Sequence, residues 1–222
     1  MNKRCLEILE SSKKYGWVLE PESKEIMRLC GLATTRFAWL RSPADVEKAR
    51  GGISFPAIAK VVSPEIMHKS ESGGIVSGIM SDDEVAKAFS DLSGLKGFAG
   101  IIVEEMASGA EVIIGGKKDP QFGKVAMIGI GGTSVEIYRD VAMRLAPVSH
   151  KESMAAIESL RGIELLRGHR GRPRVDLEAL AGFFSLFSRS FVGLGDGVES
   201  IDLNPVICNG DRMIIADARI IF

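Results

Sequence analysis

The run AIAKVV places one ammonium, Lys60, among apolar neighbours, and the stretch that follows, SPEIMHKSESGG (63–74), sets His68 and Lys69 side by side ahead of a Gly-Gly pair. An unpaired ammonium is costly to remove from water, so a buried Lys60 needs an anion beside it, either a phosphate oxygen or a carboxylate. On an edge strand its stem could instead pack while its head reached water. His68 is one of only three histidines. It is either a reacting group on a loop or a polar residue in a turn.

Further along, VEEMASGAEVIIGG puts Glu104, Glu105 and Met106 at the end of one apolar run and Glu111 at the start of the next. A strand end of this kind can offer backbone N–H and C=O to an adenine edge, and a nearby carboxylate can accept from ribose hydroxyls; the plainer alternative is a solvated acidic hairpin. GIGGTSVEIYRDVAMRLAP joins a glycine turn to Glu136 and Arg144. Its glycines permit close backbone approach to phosphate, but it lacks the Gly-Lys-Ser/Thr ending of a P-loop. In ESIDLNPVICNGDRMIIADARI, strand alternation puts Asp202 and Asn204 on one face, and a tight return brings Asp217 near them. Hard oxygen ligands so arranged suit Mg²⁺, which keeps several waters and shares phosphate oxygens; as structure alone they are turn and strand-end residues.

The elements that must position these residues alternate along the chain. Helices are expected over about 2–13 and from Pro21 to Gly31, then a strand at 35–40 and a Ser42-capped helix to about Arg50. AIAKVV and GGIVSGI pair as a hairpin with His68 between them, and S-D-D-E at Ser81 opens a helix to about Leu92. FAGIIVEEM, EVIIGG, KVAMIGIGG and SVEIY form a central sheet, helices follow at about 149–166 and 175–191, and two strands close the chain around Asn209-Gly210. Mixed strands and helices in this order indicate an α+β or α/β sandwich with a ligand held between sheets.

Composition narrows the functional classes. A chain of 222 residues with 45% hydrophobic content can bury a full core. Its net charge of −1 lacks the basic surplus of a general nucleic-acid binder, so any anion is held by a local site. Apolar runs are short and broken by charge, and the amphipathic start MNKRCLEILESSKKYG has no signal-peptide core, which points to the cytoplasm. Cys5, Cys30 and Cys208 are odd in number and widely spaced, as expected of inert buried thiols rather than a disulfide or metal framework.

Taken in order, FPAIAKVVSPEIMHKSESGG, VEEMASGAEVIIGGKKDPQFG, MIGIGGTSVEIYRDVAMRLAP, LLRGHRGRP and IDLNPV…ADARI resemble the ATP-grasp β subunit of ADP-forming acyl-CoA synthetases over about residues 18–222. The resemblance implies an α+β ATP-grasp fold of two α/β subdomains with nucleotide between them, a smaller one at approximately 30–95 and a larger one from 18–29 and 96–222. Residues 1–17 are then a helical extension outside the family pattern. It implies the reaction acyl-CoA + ADP + phosphate ⇌ acid + ATP + CoA, through an acyl phosphate and a phosphohistidine. The CoA site and first histidine would belong to an α subunit in an α₂β₂ assembly, without which this chain is inactive.

Carried over position by position, the resemblance assigns Lys60 to the nucleotide phosphates, Glu104 to Met106 to the adenine hinge and Glu111 to the ribose shell. Arg144 becomes a phosphate clamp, and Arg170 a weaker candidate that could hold the partner instead. Asn204 and Asp217 hold Mg²⁺, with Asp202 beside them orienting a phosphohistidine. His68 matches the histidine of an HKSD motif, a second phosphate carrier serving ADP, and a neutral imidazole suits the role because its phosphoramidate is a high-energy donor. Glu71 stands where the family usually has Asp. His150 is a helix-start residue, and His169 occupies a position often held by tyrosine. Two other readings remain at this level: a free-standing ATP-grasp carboxylate ligase and a non-catalytic nucleotide-binding regulatory subunit.

Overall fold

The computed structural model describes residues 2–132, 140–168 and 174–222. The chain opens with α1 (Lys3–Ser12), β1 (Trp17–Val18), α2 (Glu20–Leu29), β2 (Phe37–Leu40), α3 (Pro43–Ala49), β3 (Ala57–Val61), β4 (Ile75–Ile79) and α4 (Asp82–Leu92). It continues through β5 (Ile101–Glu105), β6 (Ala110–Asp119), β7 (Gly123–Ile130), β8 (Val141–Leu145), α5 (His150–Glu158), α6 (Ile163–Leu166), α7 (Leu177–Gly193), β9 (Ser200–Asn209), β10 (Arg212–Ile215) and β11 (Ala218–Ile221). The expected strand SVEIY, with Glu136, and the residues His169 and Arg170 lie outside the described residues.

Side-chain caps start the helices where the sequence places them. Ser42 closes a reciprocal capping box with Asp45 ahead of α3, and Ser149 does so with Glu152 ahead of α5. At α4 the box is shifted: Ser81 accepts from the Glu84 N–H, but the Glu84 carboxylate reaches back to the Met80 N–H at 2.7 Å.

The chain forms two units, each with its own core. The smaller comprises Leu19–Pro21 and Thr35–Met106. Its antiparallel sheet runs β2-β5-β3-β4, so β3 is an interior strand. Ala57, Ala59, Ile101 and Val103 pack against Val85, Ala88 and Phe89 of α4 on one face. Strand alternation turns Lys60 and Glu104 to the opposite face.

The larger unit holds the chain up to Val18, Glu22–Thr34 and Ala107–Phe222. Among its described residues an antiparallel sheet runs β1-β11-β9-β6-β7-β8, with β10 also on β9. Phe184, Phe187 and Phe191 of α7 fill one face. Gly116 makes this approach possible, since a Cβ there would stand 2.6 Å from the Phe191 ring. Cys5, Ile8 and Leu9 of α1 belong to the same core, so the helix that opens the chain buries an apolar face. Among the described residues no helix is long and apolar enough to cross a membrane.

Candidate functional site

In the smaller unit the interior position of β3 removes the edge-strand option for Lys60, which is 6% exposed. Its ammonium lies 2.5 Å from Glu104 Oε1 and 3.0 Å from Glu20 Oε1. Glu104 is within reach because β3 and β5 pair Lys60 with Ile102 and Ile58 with Glu104, which makes the two charged residues diagonal neighbours. The second Glu20 oxygen sits 2.8 Å from Lys69 Nζ, and the Thr35 hydroxyl donates to Glu104. Glu20, Glu104, Lys60 and Lys69 thus form a buried ion cluster in which opposite charges face one another. Glu20 and Thr35 were not singled out from the sequence, Lys69 only as the neighbour of His68, and no local signal pairs position 20 with position 60.

The hinge residues differ in what they leave available. The Glu104 side chain is taken up by Lys60 and Thr35, and Glu105 pairs with Arg36 at 2.7 Å. The Glu105 and Met106 N–H groups donate to the carbonyls of Arg36 and Pro56, both at 3.2 Å, because strand pairing continues past the end of β5. Met106 itself is exposed at the strand end.

His68 lies on the β3–β4 connection with its side chain exposed. Its carbonyl accepts from the Ser72 hydroxyl at 2.9 Å. Gly73 takes a positive φ of 65°, a conformation that costs glycine nothing, and the Gly74 N–H closes back on the Lys69 carbonyl at 2.8 Å. Glu71 is exposed on the same turn.

In the larger unit a single ladder row crosses the open face of the sheet: Arg219 on β11, Asp202 on β9, Gly115 on β6, Met127 on β7 and Met143 on β8 are successive cross-strand partners. Asn204 shares this face, while Ile201 and Leu203 point into the core. The Asp202 carboxylate receives Arg219 Nη2 at 3.2 Å. The expected single strand RMIIADARI breaks at residues 216–217 into β10 and β11, and the corner brings the Asp217 carbonyl within 3.3 Å of the Asn204 N–H. The strand register thus places Asp202 and Asn204 on one face, with the Asp217 backbone beside Asn204 and the Asp202 carboxylate paired with Arg219. Among the described residues no group of three or more His, Cys, Asp or Glu is arranged so that it could hold a metal ion.

Glu111 is exposed on β6, where its carbonyl accepts from the Gly131 N–H at 2.6 Å. Alternation separates Arg144 from the Asp202 row: it shares the parity of buried Ala142, and its Nη1 donates to the Met143 carbonyl at 2.8 Å. The Ser149 hydroxyl holds the nearby Glu152 carboxyl below its ordinary range, with a smaller contribution from the Arg144 charge. The same open face forms a concavity of about 800 Å³ that runs from Asp202 to the β6–β7 turn, its lining including Gly115, Phe122, Met127, Met143 and Arg144.

Residues 10–222 match the family model of the ATP-grasp domain. The chain is 36% identical over 232 aligned residues to the acetate–CoA ligase [ADP-forming] I subunit beta of Pyrococcus furiosus, covering 98% of this chain and 97% of that one. It is 34% identical over 205 residues to the acetate–CoA ligase [ADP-forming] II of Archaeoglobus fulgidus, where 92% of this chain spans only 30% of the relative. In structure it is similar to the dinucleotide-forming acetyl-coenzyme A synthetase 1 of Ca. Korarchaeum cryptofilum (TM-score 0.84, 33% identity, 98% of this chain and 99% of that one). That protein was solved with coenzyme A and Mg-AMPPCP, its phosphohistidine segment pointing towards the nucleotide binding site.

Proposed function

The chain belongs to the ATP-grasp domain family, and from that premise we propose that it is the nucleotide-binding β subunit of an ADP-forming acyl-CoA synthetase. The reaction is acyl-CoA + ADP + phosphate ⇌ carboxylic acid + ATP + CoA. A partner α subunit holds CoA and forms the acyl phosphate and the first phosphohistidine. The Pyrococcus relative named as a subunit beta, 97% of which this chain covers, supports this division. An α₂β₂ assembly working in the cytoplasm is the form we expect.

The observation that carries the reading is the exposed His68 imidazole on a tethered loop that leaves the strand holding buried Lys60. A neutral ring nitrogen of His68 attacks the phosphoryl phosphorus delivered by the partner, and the bond to the donor nitrogen breaks as the new N–P bond forms. A β-phosphate oxygen of ADP then attacks that phosphorus, the N–P bond breaks, and neutral imidazole is regenerated with ATP. Lys60 offers an N–H to the nucleotide phosphates while two carboxylates hold its position. The 104–106 strand end takes the adenine side, Glu111 the ribose side, and Arg144 completes the phosphate contacts. Asn204 and Asp217 hold Mg²⁺, with Asp202 beside them to orient the phosphohistidine. Bound there, Mg²⁺ neutralises charge on the phosphates.

Co-purification with the α subunit, followed by turnover over a panel of carboxylic acids, tests the assignment. The pair makes ATP from ADP, phosphate and an acyl-CoA. His68→Ala lowers turnover by about a thousandfold or more while Mg-nucleotide binding persists. Normal turnover in that variant removes the carrier role, and failure to bind any α subunit favours a free-standing ligase.

A further inference from the structure

We infer that Glu20 is a positioning residue that, through Lys69, fixes the loop carrying His68 and registers it against Lys60. This rests on the reading of His68 as a phosphoryl carrier. Glu20 divides its carboxylate between two ammoniums, with Oε1 3.0 Å from Lys60 and Oε2 2.8 Å from Lys69. The three side chains are 1%, 8% and 10% exposed for Glu20, Lys60 and Lys69. Away from water these ions compensate one another, so moving either lysine weakens the compensation of the buried Glu20 carboxylate.

Lys69 directly follows His68 in the chain, and the backbone around the pair is closed by the Gly74 N–H to Lys69 bond and the Ser72 hydroxyl to His68 bond. The end of the turn sits hard against β3, where a Cβ on Gly74 would meet Val61 at 2.5 Å. The exposed imidazole therefore sits on a loop pinned at its next residue, not on a loose tether. Glu20 itself is oriented by Lys60, so the anchor point of the loop and the proposed phosphate-binding cation share one carboxylate. A carrier histidine gains rate from a correctly placed starting point, and misplacement by about 1 Å costs on the order of a hundredfold.

The experiment uses the full-length chain for hydrogen exchange and its complex with the α subunit for turnover, comparing wild type with Glu20→Gln, Lys69→Gln and the double variant. Both single variants are expected to speed exchange at the Gly74 amide by about tenfold. Both lower kcat by about a hundredfold with KM for ADP within about threefold of wild type. The double variant is no worse than Glu20→Gln alone, as expected if Lys69 acts through its contact with Glu20. Glu20→Asp, which keeps the charge, recovers part of kcat. Lys69→Gln leaves Lys60 with both carboxylates and so keeps the test open if Glu20→Gln fails to fold, as a thermal melt would reveal. Unchanged Gly74 exchange in Lys69→Gln, additive losses in the double variant, or a raised KM at constant kcat would overturn the inference. Full turnover by His68→Ala removes the carrier reading instead, while the exchange data still judge the anchor.

Discussion

Buried charge and buried thiol behave differently in this protein because only the charge brings its partners with it. Lys60, Glu20, Glu104 and Lys69 compensate one another inside the smaller unit. Lys124 lies over the Phe191 ring at 4.6 Å, where burial lowers its pKa while the Phe191 and Gly195 carbonyls accept from it at 2.8 and 2.6 Å. Cys208 has no such compensation for a thiolate, and burial pushes its thiol from 9.0 up to about 12. Below pH 9 the thiol keeps its proton folded or unfolded and stability is unaffected. Between pH 9 and about 12 only the unfolded chain releases it, so stability falls with rising pH, by at most about 1.4 kcal/mol per pH unit. Denaturant midpoints measured across this range should fall more steeply for wild type than for Cys208→Ala. Cys5 and Cys30, distant in sequence, are thiol neighbours in the fold, and burial raises both of their pKa values.

At the level of elements, β6 does two jobs with adjacent glycines. Gly115 floors the open face beside Asp202 and Met127, and Gly116 gives Phe191 of α7 room on the other. Gly116→Ala would drive a Cβ to 2.6 Å from a ring that is fully buried and stacked on Phe187 at 6.4 Å. The expected loss is about 1–3 kcal/mol, read as a lower melting temperature with unchanged far-UV circular dichroism. Element types were largely legible because caps and hydrophobic periods are local: Ser42, Ser81 and Ser149 begin helices as expected. The corner at 216–217 was not read, although the buried positions change parity across it, from Met213 and Ile215 to Ala218 and Ile220; β10 and β11 both pair with β9.

For the whole molecule, the two units keep separate hydrophobic cores, and α1 serves that of the larger. Deleting residues 2–12 removes Ile8 and Leu9 from that core, at about 1.5–3 kcal/mol each. The truncated chain is therefore expected to unfold at markedly lower denaturant, whereas an extension without a packing role would leave the midpoint unchanged. The sequence by itself determined a mixed strand-and-helix chain, the order of motifs and the shared face of Asp202 and Asn204, because hydrophobic period and capping are written in neighbouring residues; the family resemblance narrowed the class to the α+β ATP-grasp fold. Only the tertiary structure decided that Lys60 lies between Glu20 and Glu104, that Arg219 meets Asp202, that Arg144 falls on the other parity, and that Lys69 anchors the His68 loop. Those facts depend on strand register and helix placement, which join residues far apart in the chain and leave no local trace in it.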